Sequence, residues 1–424
     1  MSTPDWNIPY VPENVRDPAA GVNLGFQAID TALTEVQDGA DTASANRYTK
    51  AEADALLLLK VATGDARLTD AREWTATEIT QAEAEAGTAT TARKFTALRV
   101  RQAATKPFTT LSPAILIVDH LRASVEAATG GRTTVIYTAK GAPSYMHVLP
   151  AFNCEDIAPG GELGTGLHPA FLFNGVAASE ILVGAYQASN FGTEVVSRPF
   201  ADPRTSVDFD TARNLCKANG PGWDIMSNLD WAAIALWCKA NGYEPLGNTY
   251  FGRHHTKKWE SARRVGTLAP GLVSGVGRTL TGSGPQSWAH DGMASGIHDL
   301  VGNVWEWVSG TKLIDGRAWI APDNGGNDEP NMIDSGFSLP SNRTWSTVSA
   351  VGASSLVKQS LIAPATPALS PTGYQYTILT GERLPFRGGG WSDAGGAGLA
   401  ALNLNNPRTH TGSALGFRPR FRAQ

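Results

Sequence analysis

The chain has 424 residues, and its 35 basic and 39 acidic side chains leave a net charge of −4 at pH 7. With charge so nearly balanced, we expect no basic stripe of the kind that binds nucleic acid. No apolar run reaches the length needed to cross a bilayer, and residues 1–10 show no secretory leader. The three cysteines form no CxxC pair, so we expect Cys154, Cys216 and Cys238 to be buried free thiols.

Tryptophan is distributed unevenly along the chain. Only Trp6 and Trp74 precede residue 220, whereas the other ten follow it. An aromatic-poor N-terminal part therefore precedes a glycine-rich, aromatic part that can bury a sizeable core. We divide the chain into an N-terminal arm, a stalk and a C-terminal domain, with these bounds: 1–46, 47–134 and 135–424.

The arm has no regular period and carries four prolines in its first twenty residues, which indicates an extended segment that docks on another surface. Thr49 and Glu52 then form a capping-box pattern at the start of a helix that we expect to end near Val61. Because this short helix is apolar on most sides at 56–59, it needs partners, and self-association would supply them.

The stalk segment 73–102 is rich in Ala, Thr and Glu and cannot fill a core of its own. A thin intertwined stalk and disorder both stay open, and the absence of a long single-charge block favours the stalk. Segments 48–56, 64–72 and 81–102 resemble tail-fibre proteins of tailed bacteriophages. That resemblance implies a homotrimer whose N-terminus attaches to the virion and to other tail proteins.

The C-terminal domain alternates strand-like and helix-like segments, which predicts an α+β fold. Residues 107–129 are expected to form a helix or shoulder before it. Three apolar, β-branched stretches at 133–138, 146–152 and 180–186 predict strands.

Two helices follow these strands. The first spans 209–219, with Asp208 or Asp210 as its candidate N-cap. The second spans 227–241, with Ser227 as its candidate N-cap. The apolar residues of the second recur at helical spacing, which predicts one buried face. Two glycine-rich stretches without a clear period are expected to be long loops: 243–290 and 311–380.

The motif at 296–308 combines a glycine turn with a short strand. Strand alternation would place Trp305 and Trp307 on one face and Glu306 on the other. One interpretation is an aromatic core with one exposed acid. The other is that Asn303 and Glu306 hold a cation through oxygen ligands, with calcium as the candidate.

Together with 386–391 and 416–418, this motif resembles the formylglycine-generating-enzyme group of C-type-lectin-like domains. The helical segments 207–213 and 226–235 match as well, and the resemblance covers about 135–424. It implies a C-type-lectin-like fold but no particular activity, because this fold carries unrelated functions.

The residues that the enzymes of this group need are missing from the expected places. The oxidase members use a reactive cysteine pair near the tail, and 392–415 contains no cysteine. The related sulfoxide synthases use a histidine-rich iron site, and the first 130 residues hold only His120. In a strand the adjacent His254 and His255 would point their rings apart and make a poor chelate. We expect the pair to lie in a solvated loop. We therefore expect no enzyme activity.

The tail, 386–421, has aromatic and arginine residues at both ends and small or polar residues between them. We expect the ends to be a buried frame and the interior, 392–415, to be a surface whose side chains are not needed for packing. The frame comprises Trp305, Trp307, Arg387, Trp391, Phe417 and Arg418, with Phe386, Leu402, Leu404 and Leu415 as further anchors.

The tail also resembles the variable region of diversity-generating-retroelement target proteins, in which adenines of a template are randomised. Segment 402–408 matches the pattern of that family directly. The resemblance implies a variable ligand-binding region at about 387–418. Six positions fall where the pattern has Asn, and each is reachable from the codon AAC by changing adenines alone: Ser392, Asp393, Gly396, His410, Gly412 and Ala414.

These observations predict a phage receptor-binding, tropism-determining protein of the tail fibre that binds a host-surface protein or glycan. The small tail side chains predict weak single-site affinity, which a trimer raises by avidity. We expect it in the virion after synthesis in the host cytoplasm, with no required cofactor, no nucleic-acid partner and no membrane insertion. A non-phage adhesin of the same fold and, less favoured, a formylglycine-generating-type oxidase are the alternatives.

Overall fold

A computed structural model describes the C-terminal part of the chain and two isolated residues before it: Thr80, Ala82, 119–325, 331–366 and 368–422. The arm, the helix that starts at Thr49 and the stalk as far as residue 118, apart from Thr80 and Ala82, lie outside the described residues. The compact C-terminal unit spans Ile117–Gln424. Within the ranges described, no helix is both long and apolar enough to cross a bilayer.

The unit is rich in sheet and has few helices, in agreement with the predicted α+β class. Its described helices are α1 His120–Thr129, α2 Cys154–Ile157, α3 Phe209–Lys217, α4 Asn228–Ala240 and α5 Ser355–Gln359. Its described strands are β1 Thr133–Tyr137, β2 Pro143–Pro150, β3 Leu172–Phe173, β4 Val176–Ala177, β5 Glu180–Gly184, β6 Ala188–Phe191, β7 Glu194–Ser197, β8 Trp223–Ile225, β9 Trp305–Trp307, β10 Thr311–Ile314, β11 Arg317–Ile320, β12 Ile333–Ser338, β13 Arg343–Thr344, β14 Tyr374–Thr377, β15 Glu382–Arg383, β16 Phe386–Gly388, β17 Gly398–Leu404, β18 Leu415–Phe417 and β19 Pro419–Phe421.

These strands form three larger sheets and two small hairpins. The first sheet has the order β1-β2-β5-β19-β8, the second β12-β11-β10-β15 and the third β13-β14-β17-β16-β9-β18. Most pairs are antiparallel, but β14 with β17 and β9 with β18 are parallel. Because β18 and β19 belong to different sheets, the end of the chain joins the third sheet to the first. This arrangement is consistent with the C-type-lectin-like domain that the motifs predict.

Both predicted helices of this unit are confirmed. Asp208 begins α3, where its side chain accepts from the N–H of Thr211 at 2.7 Å. Ser227 and Asp230 form a capping box at the start of α4. The prediction of one buried face for α4 is wrong, because ten of its thirteen residues are buried. The helix lies inside the largest hydrophobic cluster and contacts other elements on most sides.

The three predicted strands are confirmed as β1, β2 and β5, and α1 forms the end of the predicted helix or shoulder. This helix packs on β1, where the Tyr137 hydroxyl donates to the Asp119 carboxylate at 2.8 Å. Its C-cap, Gly130, has the left-handed conformation that commonly ends a helix. The compact unit therefore begins before α1 rather than at residue 135.

The expectation of a long loop at 311–380 is wrong. This stretch contains strands β10 to β14 and helix α5. Asp315 and Gly316 form the two-residue connection between β10 and β11, and both have positive φ. Asp-Gly is a strong short-range signal for such a hairpin, so the sequence does contain the evidence for it. The other predicted loop, 243–290, has only isolated bridges and one short 3-10 turn.

Acid is expected to destabilise this unit through His168. Its ring is buried between the carbonyl of Gln359 and the N–H of Ala170, and burial lowers its pKa from 6.5 to about 4. Because the unfolded chain takes up the proton first, stability is fully present above pH 6.5 and falls as the pH drops towards 4. The full loss is about 3 kcal/mol. Urea unfolding at a series of pH values tests this, and His168→Gln should flatten the dependence in that window.

Candidate recognition surface

The frame of the tail lies in the third sheet. Strand β16 pairs with β17 and β9, and β9 pairs with β18, so segments from distant parts of the sequence lie side by side. The ten frame and anchor residues are all buried, at 9% exposure or less: Trp305, Trp307, Phe386, Arg387, Trp391, Leu402, Leu404, Leu415, Phe417 and Arg418. Packing inside the domain therefore fixes the backbone of the tail.

Arg387 ties β16 to the helical side of the core. Its Nε donates to the side-chain oxygen of Asn228 at 2.9 Å, and its Nη2 donates to the carbonyl of Leu361 at 2.9 Å. The side chain is completely buried, and this burial lowers its pKa to about 9. Hydrogen bonds from a buried guanidinium are strongly directional, so Arg387 holds β16 in one position.

Arg418 joins the third sheet to the first. Its Nε and Nη2 donate to the two carboxylate oxygens of Glu306 at 2.9 and 2.7 Å, and its Nη1 donates to the carbonyl of Gly184 at 2.8 Å. Glu306 also accepts from the side chain of Gln187 at 3.0 Å. The interpretation of Glu306 as an exposed acid is wrong: it is 1% exposed, because the buried guanidinium requires a carboxylate beside it.

The oxygens of the two candidate cation ligands are already occupied. Asn303 Oδ1 accepts from the N–H of Thr279 at 2.7 Å and from Asn248 Nδ2 at 3.3 Å, while Glu306 binds Arg418. In the described part of the chain, no group of three or more His, Cys, Asp or Glu side chains is placed to hold a metal. Asn303 and Glu306 do not fit a calcium site in this geometry and act as internal cross-links.

The tail interior is not a surface throughout. The expectation that all of 392–415 is free of packing is wrong for 397–404, most of which forms the buried strand β17. Ala400 and Ala401 are fully buried, and each belongs to a hydrophobic cluster of the core. Two segments with exposed or half-buried residues are left, 392–396 and 405–414, and we call them together the recognition surface.

Asp393 shapes the first of these segments. Its Oδ2 accepts from the N–H of Gly390 at 2.7 Å, and its carboxylate also forms a hydrogen bond with Trp305. Burial is the largest influence on this carboxyl group and raises its pKa. The carboxylate is therefore engaged inside the loop, although the sequence pattern assigns it to ligand binding.

Ser392 and Gly396, on either side of Asp393, reach solvent to different extents. Ser392 is exposed and Gly396 is half-buried. Between them, the N–H of Ala394 donates to the carbonyl of Thr249 at 3.1 Å, which holds the backbone of the turn. A fixed backbone with exposed small side chains is an arrangement in which residues can change without loss of folding stability.

The second segment is held in a similar way. The carbonyl of Ala414 accepts from the backbone N–H of Trp305 at 2.8 Å, and the carbonyl of Gly412 accepts from the N–H of Ser206 at 3.0 Å. Both residues are half-buried, so their main chains are engaged while part of each residue reaches solvent. These hydrogen bonds are independent of the side chains that the segment carries.

His410 and Arg408 anchor the rest of this segment. The His410 ring lies nearly parallel to that of Phe386, with centroids 6.2 Å apart. Arg408 forms an ion pair with Asp210 of α3 at 2.9 Å. His410 is thus in contact with a frame residue and is still partly accessible to solvent.

Trp305 lies between the two segments. Its indole ring bonds to Asp393 of the first, and its backbone bonds to Ala414 of the second. Its ring also packs edge-on against Phe386, with centroids 5.3 Å apart. All six predicted ligand-binding positions therefore lie on two segments around one buried tryptophan, and none of the six is in the interior.

Tyr374 and Tyr376 adjoin the recognition surface, and the sequence reasoning missed them. The Tyr376 hydroxyl lies 2.6 Å from the position that a Cβ of Gly396 would occupy, and its ring is 5.9 Å from that of Trp305. The two tyrosine rings are 4.7 Å apart. The Tyr-Gln-Tyr alternation at 374–376 is the signal that could have identified them, because strand residues two apart share a face.

His254 and His255 also approach the surface. Their ring centroids are 4.5 Å apart, and His254 is only 7% exposed, so the expectation that the pair is solvated is wrong for His254. The expected loop is confirmed, because the pair lies in an irregular turn, where His254 Nδ1 accepts from the N–H of Lys257 at 3.1 Å. Burial lowers the pKa of both imidazoles. His255 Nε2 is 3.7 Å from the Cβ position of Gly395.

A cleft of about 480 Å³ reaches the recognition surface at Gly395. Hydroxyl-bearing and small apolar residues line it, and none of its lining residues is charged. Its lining includes Thr344, Ser346, Thr366, Ser370 and Thr372. A protruding neutral group of a ligand on the surface could enter this cleft.

Gly395 and Gly398 define where the surface ends and the scaffold begins. A Cβ at Gly395 would meet only His255 at an ordinary 3.7 Å, whereas a Cβ at Gly398 would lie 2.2 Å from the carbonyl oxygen of Thr372. We expect Gly395→Ser to change the unfolding free energy by less than about 0.5 kcal/mol. We expect Gly398→Ala to lower it by about 1–3 kcal/mol, because backbone must move.

Urea unfolding followed by tryptophan fluorescence measures both values. Equal losses for the two variants would contradict the division of the tail between surface and scaffold. The pair is well matched, since both residues are glycines of the same short stretch and neither has positive φ.

No protein-family model and no curated protein sequence matches this chain. Solved structures that resemble it include the Major Tropism Determinant U1 variant, with 12% identity and a TM-score of 0.25 over 65% of this chain and 62% of that one. Variable protein 1 of Treponema denticola has 14% identity and a TM-score of 0.30 over 69% and 99% of the two chains. PvdO from Pseudomonas aeruginosa has 15% identity and a TM-score of 0.32 over 68% of this chain and 98% of that one. The structural neighbours of the chain thus include tropism determinants and a variable protein, at a similarity too low to argue function.

Proposed function

We propose that this chain is a receptor-binding protein that attaches to a ligand on a host cell through the recognition surface. The observation that carries the proposal is the division of the tail. Its frame residues are buried and hold the backbone, while 392–396 and 405–414 carry mostly small, solvent-accessible side chains around Trp305. A site built in this way can change its specificity without changing its fold.

The finer assignments rest on the sequence resemblances. We propose that the protein belongs to a phage tail fibre, that it is a homotrimer with its N-terminus on the virion, and that the recognition surface is diversified from a template. Three copies would raise a weak single-site affinity by avidity. Light scattering of the full chain should report a trimer. The neighbouring DNA should hold a second copy of the 387–418 coding segment whose differences are confined to adenines.

We propose a binding role rather than catalysis, and no required cofactor. The thiol chemistry of the oxidase alternative needs an accessible thiolate. Cys154, Cys216 and Cys238 are all buried, and burial raises the pKa of each thiol, which disfavours the thiolate. A thiol-oxidation assay with added copper or iron should show no turnover, and robust turnover would overturn the proposal.

Binding of the fluorescently labelled full chain to a panel of bacterial strains tests the proposal directly. Substitutions at Ser392, Thr411 and Ser413 are expected to change which strains are bound while leaving the unfolding free energy unchanged. Val351→Ser, an exposed position outside the surface, is the matched control and should leave the strain profile as it was. A profile that ignores all three surface substitutions would contradict the proposal.

A further inference from the structure

Exposed apolar side chains are concentrated in one segment outside the recognition surface. The described part of the chain has fourteen large apolar side chains that are exposed, and five of them fall within eighteen residues: Trp259, Leu268, Leu272, Val273 and Val276. Trp259 is 78% exposed and Val273 is 59% exposed. Exposed apolar residues that lie this close together in the sequence, unlike scattered ones, indicate a segment that binds another apolar surface.

A buried arginine fixes the backbone of the apolar part of this segment. The guanidinium of Arg264 is 2% exposed and makes five hydrogen bonds to the carbonyls of Ala269, Leu272, Ser274 and Val276. The loop 265–277 is therefore wrapped around a cation, and its own side chains are left outside. These hydrogen bonds fix the backbone of the loop, so the aliphatic side chains of the loop stay exposed to solvent and do not pack on the core.

The same segment is strongly basic, although the chain as a whole carries a small negative charge. Residues 251–280 contain one acid, Glu260, and six cations, which gives +5 in a chain whose total is −4. Lys257, Lys258 and Arg263 are exposed and have no acidic partner among the described residues. Glu260 accepts from the indole N–H of Trp288 at 3.0 Å, so its carboxylate is engaged at the base of the segment.

The start of the segment, which carries the cations, is in contact with the apolar loop 265–277. The guanidinium of Arg253 lies against Gly271 in the middle of the loop sequence, and the N–H of Gly271 donates to the carbonyl of Phe251 at 2.7 Å. The end of the loop, Gly277, packs on the indole of Trp391, the residue that precedes the recognition surface. A partner held by this segment would thus lie close to the ligand of the recognition surface.

We propose that residues 251–280, the docking segment, bind the surface of an anionic lipid bilayer. Exposed lysines attract phosphate-bearing headgroups, an exposed tryptophan favours the water–lipid boundary, and aliphatic side chains of a short loop enter the first part of the acyl region. The contact is peripheral and spans nothing. This lipid contact would hold the domain against the membrane in which a receptor is anchored. The contact does not depend on the identity of that receptor.

Sedimentation of the full chain with lipid vesicles tests this proposal. We expect the protein to bind vesicles of phosphatidylcholine mixed with phosphatidylglycerol, to ignore vesicles of phosphatidylcholine alone, and to dissociate at high salt. The double variant Lys257→Glu, Lys258→Glu should lower the bound fraction about tenfold or more. Leu272→Ser with Val273→Ser should also lower binding, because the aliphatic insertion is lost.

Lys140→Glu with Val351→Ser changes the same kinds of exposed residue elsewhere and should bind as the unaltered protein does. Equal binding to neutral and anionic vesicles, no binding to either, or binding that survives both docking-segment variants would overturn the proposal. The vesicle experiment is independent of the strain-binding experiment with the Ser392, Thr411 and Ser413 variants. A failure of the membrane proposal is therefore distinguishable from a failure of the proposed function.

Discussion

Replacing Arg418 by Leu is expected to lower the free energy of unfolding by about 3–5 kcal/mol. The change leaves Glu306, which is 1% exposed, as a buried carboxylate without its cation. It also removes the hydrogen bonds by which Arg418 joins the third sheet to the carbonyls of Gly184 and His298. Urea unfolding monitored by tryptophan fluorescence gives the value, since most tryptophans lie in this unit.

Arg278→Leu is the matched control for this experiment. Arg278 pairs with Asp202, but the aspartate is 45% exposed, so water screens the interaction. Loss of this pair should cost no more than about 1 kcal/mol. Similar losses for Arg278→Leu and Arg418→Leu would mean that the buried pair does not hold the sheets together.

Trp305→Ala is expected to cost about 3–5 kcal/mol and to abolish binding of every strain in the panel. The substitution removes the ring that packs on Phe386 and Tyr376 and that bonds to Asp393. The two exposed segments then lose the side chain that lies between them. Calorimetry and the strain-binding assay measure the two effects.

Trp259→Ala provides the control for the stability measurement, because Trp259 is 78% exposed and contributes little to packing. Its effect on stability should stay within about 0.5 kcal/mol. A Trp305→Ala protein that keeps its stability, or that still binds with the original strain profile, would contradict the role assigned to this residue.

Local features of the fold could be predicted from the sequence. The capping box at Ser227 and Asp230 and the cap at Asp208 involve residues within one turn of a helix, so their spacing identifies them. The burial of the frame residues also follows from their bulk and their position around glycines. In the tail, all six predicted ligand-binding positions reach solvent at least in part.

Long-range partners could not be predicted. Glu306 and Arg418 are 112 positions apart, and nothing near either residue indicates that the other neutralises it. The burial of β17 depends on hydrophobic clusters formed by residues from distant parts of the chain, so its small residues look like surface residues in the sequence alone. For the same reason Tyr376, which comes from a separate strand, was absent from the predicted site although it adjoins Gly396.

The net charge of the whole chain does not reveal how charge is distributed along it. A net charge of −4 conceals the +5 of the docking segment, because acidic residues elsewhere outweigh it. The exposed aliphatic loop could not be recognised either, since its exposure depends on the hydrogen bonds of Arg264 to carbonyls that follow it in the chain.

The most direct test of the division between frame and surface is a pair of libraries in the full chain. One randomises the exposed positions Ser392, Thr409, Thr411 and Ser413, and the other randomises the buried positions Leu399, Ala400, Ala401 and Leu402. Folded yield and strain binding are measured for both. We predict that most members of the first library fold and differ in the strains they bind, whereas most members of the second do not fold. Equal folded yields from the two libraries, or a first library with one unchanged strain profile, would contradict the account.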